Sequence, residues 1–168
     1  MNKPDTDSVK KLILEAPIGK YIGERGAQIF AEKACCIIDL KDGEFLYKKG
    51  ETTTSFYILS EGRLALVKLK KKIDRPPQIM HILEPGDLVG ELSFIDDTHH
   101  SSTVMALGDA RVLQFKAEDI RPLILQEPQV MFDFMRAVIK RVHHTVSSIS
   151  EQQQALTDYI ASAGKGRY

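Results

Sequence analysis

The residues best able to do chemistry are concentrated between Leu83 and Val104, in the run LEPGDLVGELSFIDDTHHSSTV. Pro85-Gly86 makes a tight turn, and Gly90-Glu91-Leu92-Ser93 leads into what reads as one short helical turn. Glycine lets a ligand approach the backbone closely, and the free N–H groups at a helix start point at whatever lies there, an anion best of all. A carboxylate at Glu91 does not help a phosphate, but it can accept a hydrogen bond from a sugar hydroxyl. On these residues alone, a phosphate-plus-ribose site stands beside a plain surface loop. Asp96 and Asp97 read as solvated turn residues.

Other chemistries are poorly supplied. Cys35 and Cys36 are adjacent, which excludes a disulfide framework or metal knuckle and suits filler at a helix end. Four of the five histidines occur as the pairs His99-His100 and His143-His144. Adjacent helical residues point about 100° apart, so His143 and His144 cannot share an ion as an i, i+4 pair would. No Ser/His/Asp or Cys/His arrangement occurs at recognisable spacing. Catalysis, a metal and a cofactor are therefore not expected.

The elements that must position the Gly90–Val104 segment fall into three zones. Residues 1–40 read as an N-terminal helical segment of two short helices, because Val9, Leu12, Ile13, Ile29, Phe30 and Ala34 keep helical spacing around a Pro17-Ile-Gly19 turn. Residues 41–121 carry short apolar runs at Phe45–Tyr47, Phe56–Leu59, Leu64–Leu69, Ile79–Leu83, Val104–Leu107 and Val112–Phe115, separated by glycine and proline turns. Such texture predicts an all-β roll, barrel or sandwich. The basic cluster Lys68–Arg75 ahead of Pro76-Pro77 reads as a solvated hairpin tip or a partner patch. Residues 122–168 read as C-terminal helices. Pro122 and Pro128 bracket a short piece, and Gln129 to about Ala163 contains no proline or glycine. Met131, Met135, Val138, Val142, Thr145, Ile149, Gln152, Leu156 and Tyr159 recur there in steps of four and three, an a/d seam that a second parallel copy could cover. The predicted fold is mainly β with flanking helices, a double-stranded β-helix or jelly roll followed by a long C-terminal helix, in a homodimer.

Composition bounds the partners. Lys plus Arg and Asp plus Glu both total 23, so the chain lacks the basic excess of a nucleic-acid binder. Met1-Asn-Lys-Pro-Asp opens on polar sequence, and no apolar run approaches the ~20 residues of a membrane span. A cytoplasmic location is the expectation.

The Gly90–Val104 segment resembles the phosphate-binding cassette of cyclic-nucleotide-binding domains, whose pattern is roughly Gly-Glu-Leu-Ala, a short gap, then Arg-Ser/Ala-Ala-Thr-Val. Here it reads Gly90-Glu91-Leu92-Ser93, a gap, then His100-Ser101-Ser102-Thr103-Val104. Upstream, Gly43-Glu44 to Gly50-Glu51 and Phe56 to Gly62 resemble the family's glycine-marked first strands. The likeness runs from about Pro17 to the end of the long helix. It implies a regulatory module that binds a cyclic nucleotide, cyclic AMP favoured and cyclic GMP possible. Glu91 would hold the ribose 2′-hydroxyl. Backbone amides around Gly90, Leu92 and Ser93, with Ser101, would meet the cyclic phosphate. Leu83 and His81, on one face of a strand, would lie near the base. Thr145 falls where the catabolite-activator branch of the family has a helix threonine that contacts adenine.

One departure stands out: His100 replaces the family's phosphate-binding arginine. Imidazole offers one donor and a partial charge near neutral pH, where arginine offers a permanent two-pronged one. A charge-assisted hydrogen bond contributes about 1.5–3 kcal/mol, so the exchange weakens binding by roughly 10–150-fold. If His100 serves the phosphate, affinity should fall as pH rises. The alternative is a degenerate fold with an empty or altered pocket, acting in protein–protein interaction. Only residues 162–168 follow the long helix, so DNA binding by this chain alone is not expected, and the downstream partner is unknown.

Overall fold

The computed structural model describes residues 4–34, 36–70 and 76–164, with the side chains of 144, 145, 148, 149, 152, 156 and 161–164 outside the description. The chain begins with α1 (Thr6–Glu15) and α2 (Gly19–Lys33). Asp5 caps α1, its carboxylate accepting from the Ser8 amide at 2.9 Å, which satisfies one of the helix's orphan donors. A kink at Gly23, φ +61°, bends α2.

Eight strands follow: β1 (Cys36–Leu40), β2 (Phe45–Tyr47), β3 (Ser55–Glu61), β4 (Leu64–Lys68), β5 (Gln78–Leu83), β6 (Leu88–Val89), β7 (Thr103–Ala106) and β8 (Ala110–Lys116). They form two antiparallel four-stranded sheets, ordered β1-β8-β3-β6 and β2-β7-β4-β5. β3 explains its own apolar run. Tyr57 and Leu59 enter the core between the sheets, while Phe56 and Ile58 face the helices, so neither face meets water. The expected jelly-roll-like architecture with flanking helices is present.

One difference concerns a boundary, and a second the residue that stands on it. Cys36–Leu40, which the helical spacing drew into the N-terminal segment, is a strand paired with β8, so the roll begins at Cys36. Cys36 is accordingly a buried strand residue donating its thiol to Gln114 Oε1 at 2.8 Å, not helix-end filler; Cys35 lies outside the described residues.

A short α3 (Glu91–Asp96) lies between β6 and β7, and after β8 come α4 (Ala117–Ile120), α5 (Leu123–Gln126) and the long α6 (Pro128–Gly164). The start of α6 packs on α2 and the roll through Val130, Met131, Phe134, Ala137 and Val138. Phe30, Phe56, Phe94, Phe115 and Phe134 form one aromatic cluster, joining helices to sheet. Met131 and Val138 therefore belong to the domain's own core and not to an outward seam. The large apolar residues left exposed on α6 are Phe132, Met135, Ile139 and Val146, again three, four and seven apart, with the predicted seam residue Tyr159 and its neighbour Ile160 near the helix end. Thr145, Ile149, Gln152 and Leu156 are helical, with side chains outside the description.

Candidate ligand-binding site

Between β6 and β7 the chain makes the short helix α3 (Glu91–Asp96). Gly90 precedes it with φ +77°. That conformation favours glycine, and a Cβ there would also lie 3.3 Å from His100 Cε1, tighter than most contacts of its kind. At the far end Asp97 is held in the left-handed region, φ +55°, and pairs with Arg121. It is thus a tethered residue and not merely a solvated one. Asp96 accepts from the Thr98 amide and hydroxyl.

The first half of α3 walls a cavity of about 120 Å³ with Tyr47, Leu66, Leu83, Leu88, Val89, Gly90, His100, Ser101, Ser102 and Arg141. Glu91, Leu92 and Ser93 also line it. The structure thus brings together Leu83, Gly90, Glu91, Leu92, Ser93, His100 and Ser101 from the sequence-level set. His81 is not among them: it pairs with Leu66 across β4 and β5 but is exposed and outside the lining. Thr145 is one helical turn beyond Arg141 on α6, its side chain outside the described residues.

Of the six lining residues that escaped the sequence reading (Tyr47, Leu66, Leu88, Val89, Ser102 and Arg141), two bear on the chemistry of the site. Arg141 projects from α6 to within 3.8 Å of the Glu91 carboxylate and also donates to the Leu88 carbonyl. Glu91 is only 8% exposed. Burial pushes its carboxyl above the usual range, and the Arg141 guanidinium partly opposes that. Tyr47 is the second. A register shift between Phe45 and Tyr47, against Met105 and Val104, puts one extra residue on β2 and aims the Tyr47 ring inward. Burial, then the Glu91 charge, raises its phenol well above the ordinary value.

His100 is 3% exposed and clasped from several sides. Its ring is 3.6 Å, centroid to centroid, from that of Tyr47. Its Nε2 is 2.9 Å from Thr53 Oγ1, and its Nδ1 is 3.1 Å from Ser93 Oγ. Its amide donates to the Glu51 carbonyl and its carbonyl accepts from the Gly50 amide, both at 2.9 Å. Burial lowers the imidazole pKa below its usual value, against the opposing pull of the Glu51 carboxylate. Both ring nitrogens therefore have partners within the protein, where the sequence reading aimed the ring at a ligand. On the far side of α3, a larger cavity of about 540 Å³ shares Ser93 and is bordered by Thr53, Lys116 and Arg121.

The sequence pattern of the cyclic nucleotide-binding domain matches residues 37–127, more than half of the 168-residue chain. The chain belongs to the cyclic nucleotide-binding domain family. The domain is 23% identical over 115 residues to a CRP-like cAMP-activated global transcriptional regulator of Mycobacterium tuberculosis, covering 68% of this chain and 50% of that protein. It is 32% identical over 110 residues to the lysophospholipase NTE1 of Cryptococcus neoformans, covering 64% of this chain and 6% of that protein. The chain thus spans half or less of these relatives. Among solved structures, the fold is similar to the regulatory domain of Toxoplasma gondii PKA with cAMP, at a TM-score of 0.67 and 19% identity, covering 83% of this chain and 50% of that one. It is similar too to the Thermus thermophilus catabolite activator protein, at 0.64 and 19%, covering 82% and 63%. Among the described residues, no helix of the domain is long and apolar enough to cross a membrane, and no cluster of three or more His, Cys, Asp or Glu could hold a metal.

Proposed function

We propose that this domain is a non-catalytic, cytoplasmic regulatory module that binds a cyclic nucleotide, cyclic AMP in preference to cyclic GMP, and transmits the bound state through α6 in a homodimer. The observation that carries this reading is Glu91. A carboxylate so little exposed is costly to keep, and it is held beside Arg141 on a cavity wall, where a ribose hydroxyl would use it. The amides of Gly90, Leu92 and Ser93, with Ser101, meet the phosphate in this reading. In the same reading Leu83 borders the base, with His81 farther out on the same strand, and Thr145 of α6 is assigned to the base. A second copy of the chain is the partner that suits the exposed stripe Phe132, Met135, Ile139 and Val146. We assign no DNA binding to this chain, and the output passes to a downstream protein of unknown identity.

A second reading keeps the fold and the dimer but leaves the pocket without a nucleotide. The cavity volume favours it: about 120 Å³ is below the roughly 300–1,000 Å³ of ordinary ligand pockets. Titration calorimetry of ligand-stripped protein with both nucleotides separates the two. A micromolar or tighter dissociation constant for cyclic AMP, with weaker cyclic GMP, supports the first reading. No heat from either nucleotide up to ~1 mM supports the second.

A further inference from the structure

We propose that Thr53, His100 and Ser93 form a proton-coupled relay: when His100 takes a proton from solvent, the Ser93 hydroxyl is freed to donate to an anion in the cavity. This rests on the reading of that cavity as a cyclic-nucleotide site and adds the regulation of its phosphate end.

The hydrogen-bond directions follow from counting hydrogens. Thr53 Oγ1 donates its one hydrogen to the Ser55 carbonyl at 3.2 Å. Toward His100 Nε2, 2.9 Å away, it can only accept, so Nε2 carries the ring hydrogen. In neutral imidazole Nδ1 is then the acceptor, and the Ser93 hydroxyl, at 3.1 Å, donates into the ring. In this state neither side chain offers a donor to the cavity they both border. Tyr47 covers the face of the ring, and both ring nitrogens are already engaged by Thr53 and Ser93.

Protonation reverses one link and leaves the other alone. The added proton goes to Nδ1, which now donates to Ser93 Oγ. The Ser93 hydrogen must rotate away, and in this relay it turns to the cavity that Ser93 shares with Glu91 and Arg141, with the imidazolium charge behind it. Thr53 goes on accepting from Nε2. The charges around the ring are Glu51 from the β2–β3 connection, which favours the cation, and Glu91 of α3 with Arg141 of α6, which face the same cavity and pair with each other. Tyr47 of β2 stays neutral. Burial alone opposes the cation, so an arriving anion supplies the compensation that the empty site lacks.

Thr53 is therefore a positioning residue, and Thr53→Val tests it. Without an acceptor for Nε2–H, the ring hydrogen moves to Nδ1, and Ser93 is released with no proton taken up. Nitrogen-15 NMR of the imidazole in ligand-free protein should show the Nε2–H tautomer in the parent and the Nδ1–H tautomer in the variant. Calorimetry with cyclic AMP in buffers of different ionisation enthalpy should find about one proton taken up by the parent at pH 7.5 and almost none by the variant. Parent affinity should fall by up to about tenfold per pH unit as pH rises through the histidine's pKa in the complex, whereas the variant's should stay flat. An Nδ1–H tautomer in the parent overturns the relay, as does equal proton uptake by both proteins, and either result leaves nucleotide binding standing. No cyclic AMP binding by the parent between pH 5.5 and 8 overturns the proposed function and this coupling together.

Discussion

The imidazole of His100 lies flat against the Tyr47 ring, 9° from parallel. A planar cation can occupy the same slot, since guanidinium also stacks on aromatic faces. His100→Arg should therefore fold, tighten cyclic AMP binding at pH 8 by about tenfold, and flatten the pH profile, because arginine stays charged throughout. Calorimetry on both proteins at pH 6 and pH 8 is the measurement. Equal affinities of parent and variant at pH 8 would mean that no phosphate is bound near residue 100.

Glu91 sets function against stability. Its carboxyl is raised in the folded state, so the fold binds that proton more tightly than the unfolded chain does. Stability is lost as pH rises from the ordinary carboxyl pKa through the raised one. Glu91→Gln removes the ionisation and should raise the melting temperature at pH 7 by about 2–4 °C, the equivalent of about 1 kcal/mol, with no gain at pH 4. The same variant should lose cyclic AMP binding, and 2′-deoxy-cyclic AMP should bind the parent poorly. Calorimetric melting at the two pH values decides the first part, and a lower melting temperature at pH 7 contradicts it.

Arg141 couples α6 to α3. With Arg141→Met the Glu91 carboxylate loses its nearby cation, and cyclic AMP affinity should drop by about tenfold. Far-ultraviolet circular dichroism should stay unchanged, because Arg141 is partly solvent-exposed. Unaltered affinity would remove Arg141 from the site.

Neighbouring positions on α6 should behave oppositely. Val138 is 2% exposed and Ile139 is 66% exposed. Val138→Asp buries an unpaired charge in the domain core and should unfold the protein. The pair Ile139→Asp and Val146→Asp should leave the domain folded but convert a dimer to a monomer in sedimentation velocity. A parent that sediments as a monomer at tens of micromolar ends the dimer proposal.

Much of this was legible in the sequence. Six apolar runs bounded by glycine and proline became six strands, and the Gly90–Ser93 stretch became the start of α3 against the cavity. What escaped did so for local reasons. Only Ala34 and Cys35 separate Cys36–Leu40 from the end of α2, with no glycine or proline between them, so period alone gave no break between helix and strand. Leu88–Val89 is too short to show any period. The three-and-four spacing of Met131 and Val138 was real, but packing on α2 produces the same spacing as packing on a second copy. Arg141 fell between the seam positions and carried no pattern of its own. Tyr47 points inward because of a bulge, and a one-residue register shift leaves no mark in composition.

Phe56 touches the rings of Phe30, Phe94, Phe115 and Phe134, one each from α2, α3, β8 and α6. It is the fulcrum of the molecule. Close-packed interiors transmit displacement instead of absorbing it. A tilt of α3 would press Phe94 against this ring, which also bears on Phe134 at the root of α6, forty residues onward in sequence. Through that one ring, the helix that walls the pocket and the root of the long helix are two contacts apart.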